Sequence, residues 1–406
     1  MIAAACSRVL DRALAQDPEF SRLRNAGRST LACLVTATLD VWWTLQHHQD
    51  ITLAAPGTLF AMIAPLFLRE SRLSSWLVSL FLLYCCACAS FAASALIASQ
   101  PELRYAGLLL VVFVGMLCQP LGPRAVGSAL LALVAFYLGL YLHPSHEKLL
   151  AMLGVMASAP LVVAVVGRVV LPMAPRDGEW RAFARALYHG ASSARTRAGA
   201  AARGAGRLCA RLRLPRLADV ATLTRGHRHL AWRTAALATI SALLAMLAGS
   251  ELSEDRSMWA VISTFVVFLG THSREDTLAR VAKRLAGTLA GAAVSALLVI
   301  AFPHAAGVLI AAMALSVFGW AYFILHAYAR GVFFITMLVG LVYGQLGFAI
   351  VPLAKLRIEE VVAGCLISVA VAVLLMPSAA ARAAKAQAEE NAGLAVVEVE
   401  ANLAAD

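Results

Sequence analysis

The residues best suited to chemistry lie between Arg274 and Gly291. A polar elbow, Arg274-Glu275-Asp276, is followed by Arg280, Lys283 and Arg284, and then by Gly287, Thr288 and Gly291. Arg280, Arg284, Gly287 and Gly291 are three or four residues apart, so on a helix they share one face. Such a cationic row would draw a carboxylate out of the cytoplasm. The same charges also suit the simpler role of anchors at the inner membrane surface, with local ion pairs. Thr288 is placed to hydrogen-bond a substrate or a facing helix, and Gly287 and Gly291 let two helix backbones approach closely. Asp40 is the other candidate. A charge near the outer end of an apolar run is costly, so it faces a cavity or a partner. It reads either as a proton acceptor or gate, or as an interface group touching water beside Trp42.

Other constellations carry less. His143-Pro-Ser-His146 has two imidazoles in a loop without further ligands, so no metal site is expected. No Gly-x-x-x-x-Gly-Lys-Ser/Thr occurs and no nucleophile–base–orienter set stands out, so neither a cofactor, ATP hydrolysis nor an enzyme is expected. Cys33, Cys85, Cys86, Cys88, Cys118 and Cys365 lie inside apolar runs and read as small apolar filler. Glu359 and Glu360, opening the last apolar run, pair with Arg357 in a structural role. Arg168 snorkels at the end of its run.

These residues must be positioned by helices in lipid. The 406 residues are 61% hydrophobic and 14% charged, with a mean hydropathy of +0.78, far beyond what a soluble core needs. The net charge of +11 falls between apolar runs rather than on a basic domain, which argues against nucleic acid as a partner. No ten-residue alternation suggests an outer-membrane barrel. Candidate spans lie at about 27–44, 52–68, 73–98, 104–119, 124–142 and 149–171, and again at about 232–248, 257–271, 279–301, 305–324, 330–346 and 358–376. The expected fold is therefore an all-α integral membrane protein with about twelve transmembrane helices in two parallel six-helix repeats. Its divisions are a cytoplasmic lead (1–26), a first repeat (27–171), an arginine-rich cytoplasmic linker (172–229), a second repeat (230–377) and a helical cytoplasmic tail (378–406). The linker holds twelve arginines and no lysine, suited to anionic lipid headgroups. Positive charge at Arg69, Arg72, Arg124, the linker, Arg274 to Arg284 and Arg330 sets both termini inside. Lys355 and Arg357 are the exception, on an expected outer loop. In the first half, Leu68-Arg69-Glu70-Ser71-Arg72 repeats the elbow more weakly, with Ser71, Ser75 and Ser79 as the small stripe.

A Trp-led apolar helix from Trp259, a polar elbow, and the run Arg284-Leu285-Ala286-Gly287-Thr288-Leu289-Ala290-Gly291 resemble the fusaric acid resistance protein-like (FUSC) family. The first half departs from the pattern, with Trp76-Leu77-Val78-Ser79 where a Gly-Thr pair belongs. The resemblance implies a multi-pass protein of the bacterial inner membrane that exports small aromatic or amphipathic carboxylic acids. It further implies a proton gradient as the drive and, in some relatives, a periplasmic adaptor protein. Plant relatives imply a passive organic-anion channel as the alternative. A non-transport role, with the linker recruiting a partner, and an oligomeric assembly stay open.

Overall fold

The computed structural model describes residues 17, 20–70, 72–172, 225–252, 258–271, 273–378 and 380–381. The described residues form helices and no strands. Most of the linker and tail, and most of the lead, lie outside the described residues.

Asp17 starts the first helix, its carboxylate accepting from the Arg22 and Leu23 amides and the Ser21 hydroxyl. Helix α1 (Ser21–Gln46) follows, longer than expected because its first turns carry arginines rather than apolar residues. Prolines break the second stretch. A 3-10 turn (Ile51–Ala54) leads into α2 (Ala55–Ile63), with Pro56 in its first turn, and Pro65 begins a closing 3-10 turn. Then come α3 (Leu73–Ile97), α4 (Pro101–Leu117) and α5 (Pro123–Leu142). The sixth stretch, expected as one span, is two helices and a π turn: α6 (His146–Met156), α7 (Ser158–Val165) and Val166–Val170. Pro160 explains the break, since it cannot donate to the carbonyl four residues back at Met156.

The second half comprises α8 (Arg225–Leu252), α9 (Met258–Phe268), α10 (Arg274–Ala301), α11 (Ala306–Phe323), α12 (Tyr328–Gln345) and α13 (Ile350–Leu375). Helix α13 starts eight residues before the expected span at 358. Lys355 and Arg357 are therefore helical residues and not loop charges. Among the described residues, seven stretches are long and apolar enough to cross a membrane: α3, α5, the α6–α7 pair, α8, α10, α11 and α13. The remaining five, α1, α2, α4, α9 and α12, are helical where spans were expected but fall short on length or apolarity.

Equivalent helices pair in both halves. In the first, α1 packs on α2, α3 and α4 both pack on α5, and α7 contacts α1 and α2. In the second, α8 packs on α9, α10 and α11 both pack on α12, and α13 contacts α8 and α9. Across the halves, α1 packs on α11 and α4 on α8, a reciprocal exchange of the first and fourth helices.

The tightest seam joins α10 to α12. A Cβ on Gly287 would sit 2.5 Å from the Ala329 carbonyl oxygen, and one on Gly291 would collide with that of Phe333. Further along, Ser295 fills the space over Gly340. The α3–α5 seam is the counterpart. There the Ser90 hydroxyl donates to the Ala132 carbonyl at 2.6 Å, and Ser94 fills the space over Gly139. This corrects the register read from sequence. The small stripe of α3 is Ser90 and Ser94, whereas Ser75 and Ser79 belong to a polar knot around Glu70.

A side chain at Gly287 would press on backbone, which cannot rotate away. Gly287→Ala is expected to cost about 1–3 kcal/mol by overpacking. Gly154→Ala, on a helix with nothing within 4 Å of the new methyl, should be neutral or stabilising by up to about 1 kcal/mol. Thermal unfolding of the purified variants, followed by size exclusion in detergent, checks the contrast.

Candidate functional site

Helix α10 is started by Ser273, whose hydroxyl accepts from the Asp276 amide at 3.2 Å, with Glu275 and Asp276 exposed in the first turn. The Arg274 amide donates to the Pro377 carbonyl at 3.2 Å, so the start of α10 is tied to the end of α13. The two helices therefore run antiparallel. The elbow acids stay at the surface.

The row itself turns inward. The Arg280 guanidinium lies 4.5 Å over the Tyr328 ring. Arg284 is 9% exposed and donates to the Ser263 hydroxyl at 3.1 Å and, at 3.4 Å, to the Tyr328 hydroxyl. Lys283 is exposed, and Thr288 is buried one turn beyond Arg284. The close approach at Gly287 and Gly291 brings the start of α12, and so Tyr328, against these arginines.

Helix α13 supplies the continuation. The Arg357 guanidinium lies 4.3 Å over the Trp259 ring, and that ring is 5.2 Å from Tyr137 of α5. Glu360 is fully buried one turn on. Arg357 lies within electrostatic reach of Arg284, Glu360, Tyr137 and Tyr343. At 1.5 Å per residue, Arg280, Arg284, Glu360 and Arg357 stand at about 9, 15, 22 and 27 Å from the Arg274 end. They form a polar file through an otherwise apolar half. Arg280, Arg284 and Arg357 all keep a buried Nε without a hydrogen-bond partner among the described residues, as does one Nη of Arg357. Burying a guanidinium costs several kcal/mol unless an anion or a full set of acceptors offsets it. Aromatic faces return about 0.5–2 kcal/mol each. Such an arrangement of cations and rings can pair with an anion that carries an aromatic body.

The first half gives its cations other partners, although Arg28 also keeps a buried Nε and Nη unpartnered among the described residues. The Arg124 guanidinium pairs with Glu70, which also accepts from Ser79 at 2.6 Å. Arg168 stacks 4.9 Å over Trp76 and donates to the Glu70 carbonyl at 3.1 Å, while Arg28 donates to the Gly167 carbonyl freed in the π turn. Arg168 is thus packed and bonded rather than snorkelling. Asp40 is not brought to the polar file: it lies in α1 against α2 and α7. Sequence reasoning missed Arg357 as a site residue, and with it Trp259, Ser263, Tyr328, Tyr137 and Tyr343. The available signal was Arg357-x-x-Glu360, two charges on one helix face between the apolar stretches 350–354 and 361–375. Glu359 pairs with Lys355 at 3.7 Å, not with Arg357.

Because the fully buried Glu360 lies within electrostatic reach of Arg357, Arg357→Met strands a carboxylate and is expected to lower the apparent melting temperature by several degrees, whereas Arg357→Met with Glu360→Gln should restore it. An unchanged melting temperature of the single variant in detergent would show instead that the two groups do not hold each other.

Residues 221–371 match the family model described as fusaric acid resistance protein-like. The match covers α8 to α12 and most of α13, and it supports the resemblance carried by Arg284 to Gly291. It points to a membrane protein of transport. Among curated proteins and solved structures, none matches this chain.

Proposed function

With its second half matched to the fusaric acid resistance protein-like family, we propose that this chain is a secondary transporter of the inner membrane. It exports small aromatic or amphipathic carboxylic acids, with the proton gradient as the drive. The observation that carries this reading is the file of Arg280, Arg284 and Arg357, each guanidinium with spare donors and an aromatic ring beside it. A carboxylate entering at the α10 elbow meets Arg280 first. It then exchanges onto Arg284, where the planar fork takes both oxygens, and onward to Arg357. Its ring exchanges contacts with Tyr328 and then Trp259 along the same line, so the apolar part of the acid is never left facing charge alone.

The chain is read as twelve crossings in two parallel six-helix repeats with both termini cytoplasmic. Support comes from the shared helix pairing and from the reciprocal packing of α1 on α11 and α4 on α8. Rocking of one half against the other about those contacts would open the file to each side in turn. The unbroken file also serves a second reading, a passive organic-anion channel. Currents that reverse with the anion gradient and need no proton movement distinguish it.

Arg284→Gln is expected to lower export of labelled aromatic acids from reconstituted vesicles at least tenfold while the protein still inserts. Unchanged transport would remove Arg284 from the path.

A further inference from the structure

Asp40 lies outside the polar file, yet its surroundings are built. It is 2% exposed. One carboxylate oxygen accepts from the Ser158 hydroxyl at 2.7 Å; the other, Oδ2, has no partner among the described residues. One turn earlier on α1, Thr36 is fully buried with its hydroxyl equally unpartnered. Space at Oδ2 is kept by Gly57 of α2, where a Cβ would stand 2.6 Å from that oxygen and 3.4 Å from the Met156 Cα. Ser158 reaches the pocket because the α6–α7 break puts it at the first position of α7. Three helices therefore converge on one carboxylate oxygen and leave it open.

The fold does not demand an acid there. Arg28 donates to a carbonyl at the end of the sixth stretch of its half, and Arg233 does the same to Leu375 in the other half. Twelve residues beyond Arg28 is Asp40; twelve beyond Arg233 is Ala245, fully buried. The same position is filled by a methyl where only packing is required.

No cation of the packed elements answers the carboxylate. The stretch 51–66 and helix α11, both packed on α1, contain no charged residue. On the sixth stretch His146, Glu147 and Lys148 stand at one end and Arg168 at the other, and Lys148 is paired with Asp50 at 2.6 Å. On α1 itself the nearest basic groups are His47 and Arg28, two and three turns away. A carboxylate buried in an apolar bundle without a counter-ion is costly, and such groups mark ion or proton pathways. The pocket offers Oδ2 and two hydroxyls, enough to hold a proton and short of the oxygen cage a metal ion takes.

We propose that Asp40, with Ser158 and Thr36, is the proton-binding site that couples transport to the pH gradient, separate from the arginine file that holds the acid. This rests on the transporter reading above. The proton enters onto Oδ2, is shielded by the Gly57 backbone, and leaves when the pocket opens to the other side.

The test uses the full chain in vesicles, with uptake into protein-free vesicles subtracted. Labelled 4-hydroxybenzoate is followed both under an imposed pH difference and as counterflow against unlabelled acid. Asp40→Asn is expected to lose pH-driven accumulation at least tenfold and to keep counterflow within about twofold, which also shows that it folds. Retained pH drive in Asp40→Asn, loss of counterflow together with drive, or drive of the wild type by sodium would each overturn the assignment. Absence of counterflow in the wild type would sink the transporter reading itself. The wild type gives an independent readout. Dicyclohexylcarbodiimide condenses with neutral carboxyls in apolar surroundings, so an adduct at Asp40 that ends pH drive supports the site. Labelling that ends drive but spares Asp40 counts against it.

Discussion

A guanidinium inside an apolar helix bundle must find something to offset its lost hydration, and how each arginine does so divides this molecule. Arg28, Arg124 and Arg168 are met by backbone carbonyls, a carboxylate and a tryptophan face within the first half. Arg280, Arg284 and Arg357 are met mainly by hydroxyls and rings, with Glu360 within electrostatic reach of Arg357. Spare donors occur in both sets, since Arg28 also keeps a buried Nε and Nη without a partner among the described residues. The second set differs in meeting its cations with hydroxyls and rings, which return about 1–2 kcal/mol each against a burial cost of several. That difference in partners, more than the number of arginines, is what the proposed path through the second half rests on.

The glycine seam makes the second set possible. On α10 the arginines and the glycines share one face, so one surface must accept both a bulky cation and a backbone in contact. It does so in sequence along the helix. Gly287 and Gly291 bring α12 to backbone distance, and Tyr328 at the start of α12 is thereby carried over Arg280 and Arg284. A larger residue at either glycine would tilt α12 away and strip the arginines of their aromatic cover. Packing that reads as purely structural therefore sets the electrostatics of the site.

Much of this was legible in the chain. Every expected span corresponds to helix, because an apolar run in lipid has no other way to satisfy its backbone. Arg284 and the two glycines followed from helical spacing alone. Two kinds of information were not local. Pro160 splits a run whose composition is uniformly apolar, and hydropathy does not register a missing N–H. Arg357 looked like a loop charge because the span was started just after Lys355 and Arg357, whereas Trp259, from another helix, makes a buried cation tolerable. The first-half stripe was misregistered for a related reason: Ser75 and Ser79 are small, but Glu70 and Arg124, more distant in sequence, recruit them as hydrogen-bond partners.

The two halves share helix pairing but not polar content, and this bears on how a proton and an acid would be linked. Asp40 has no counterpart acid in the second half, and Arg284 faces no counterpart cation in the first, where Leu83 lies at the same depth of α3. Any coupling must then cross between halves. The described contacts offer a contiguous route: Ala32 and Cys33 of α1 share one core cluster with Val317 and Trp320 of α11, and Phe334 and Ile335 of α12 pack against it. Helix α12 carries Tyr328, the residue shared by Arg280 and Arg284. A shift of α1 on filling or emptying the Asp40 pocket would reach the arginine file through close-packed side chains, which transmit displacement because they have no voids to absorb it. Among the described residues, the reciprocal contact of α4 on α8 carries no ionisable group buried as deeply as Asp40. On that side the halves are joined by packing, as of Phe113 on Trp232, and by the Gly270 amide donating to the Gln119 side chain at 3.2 Å.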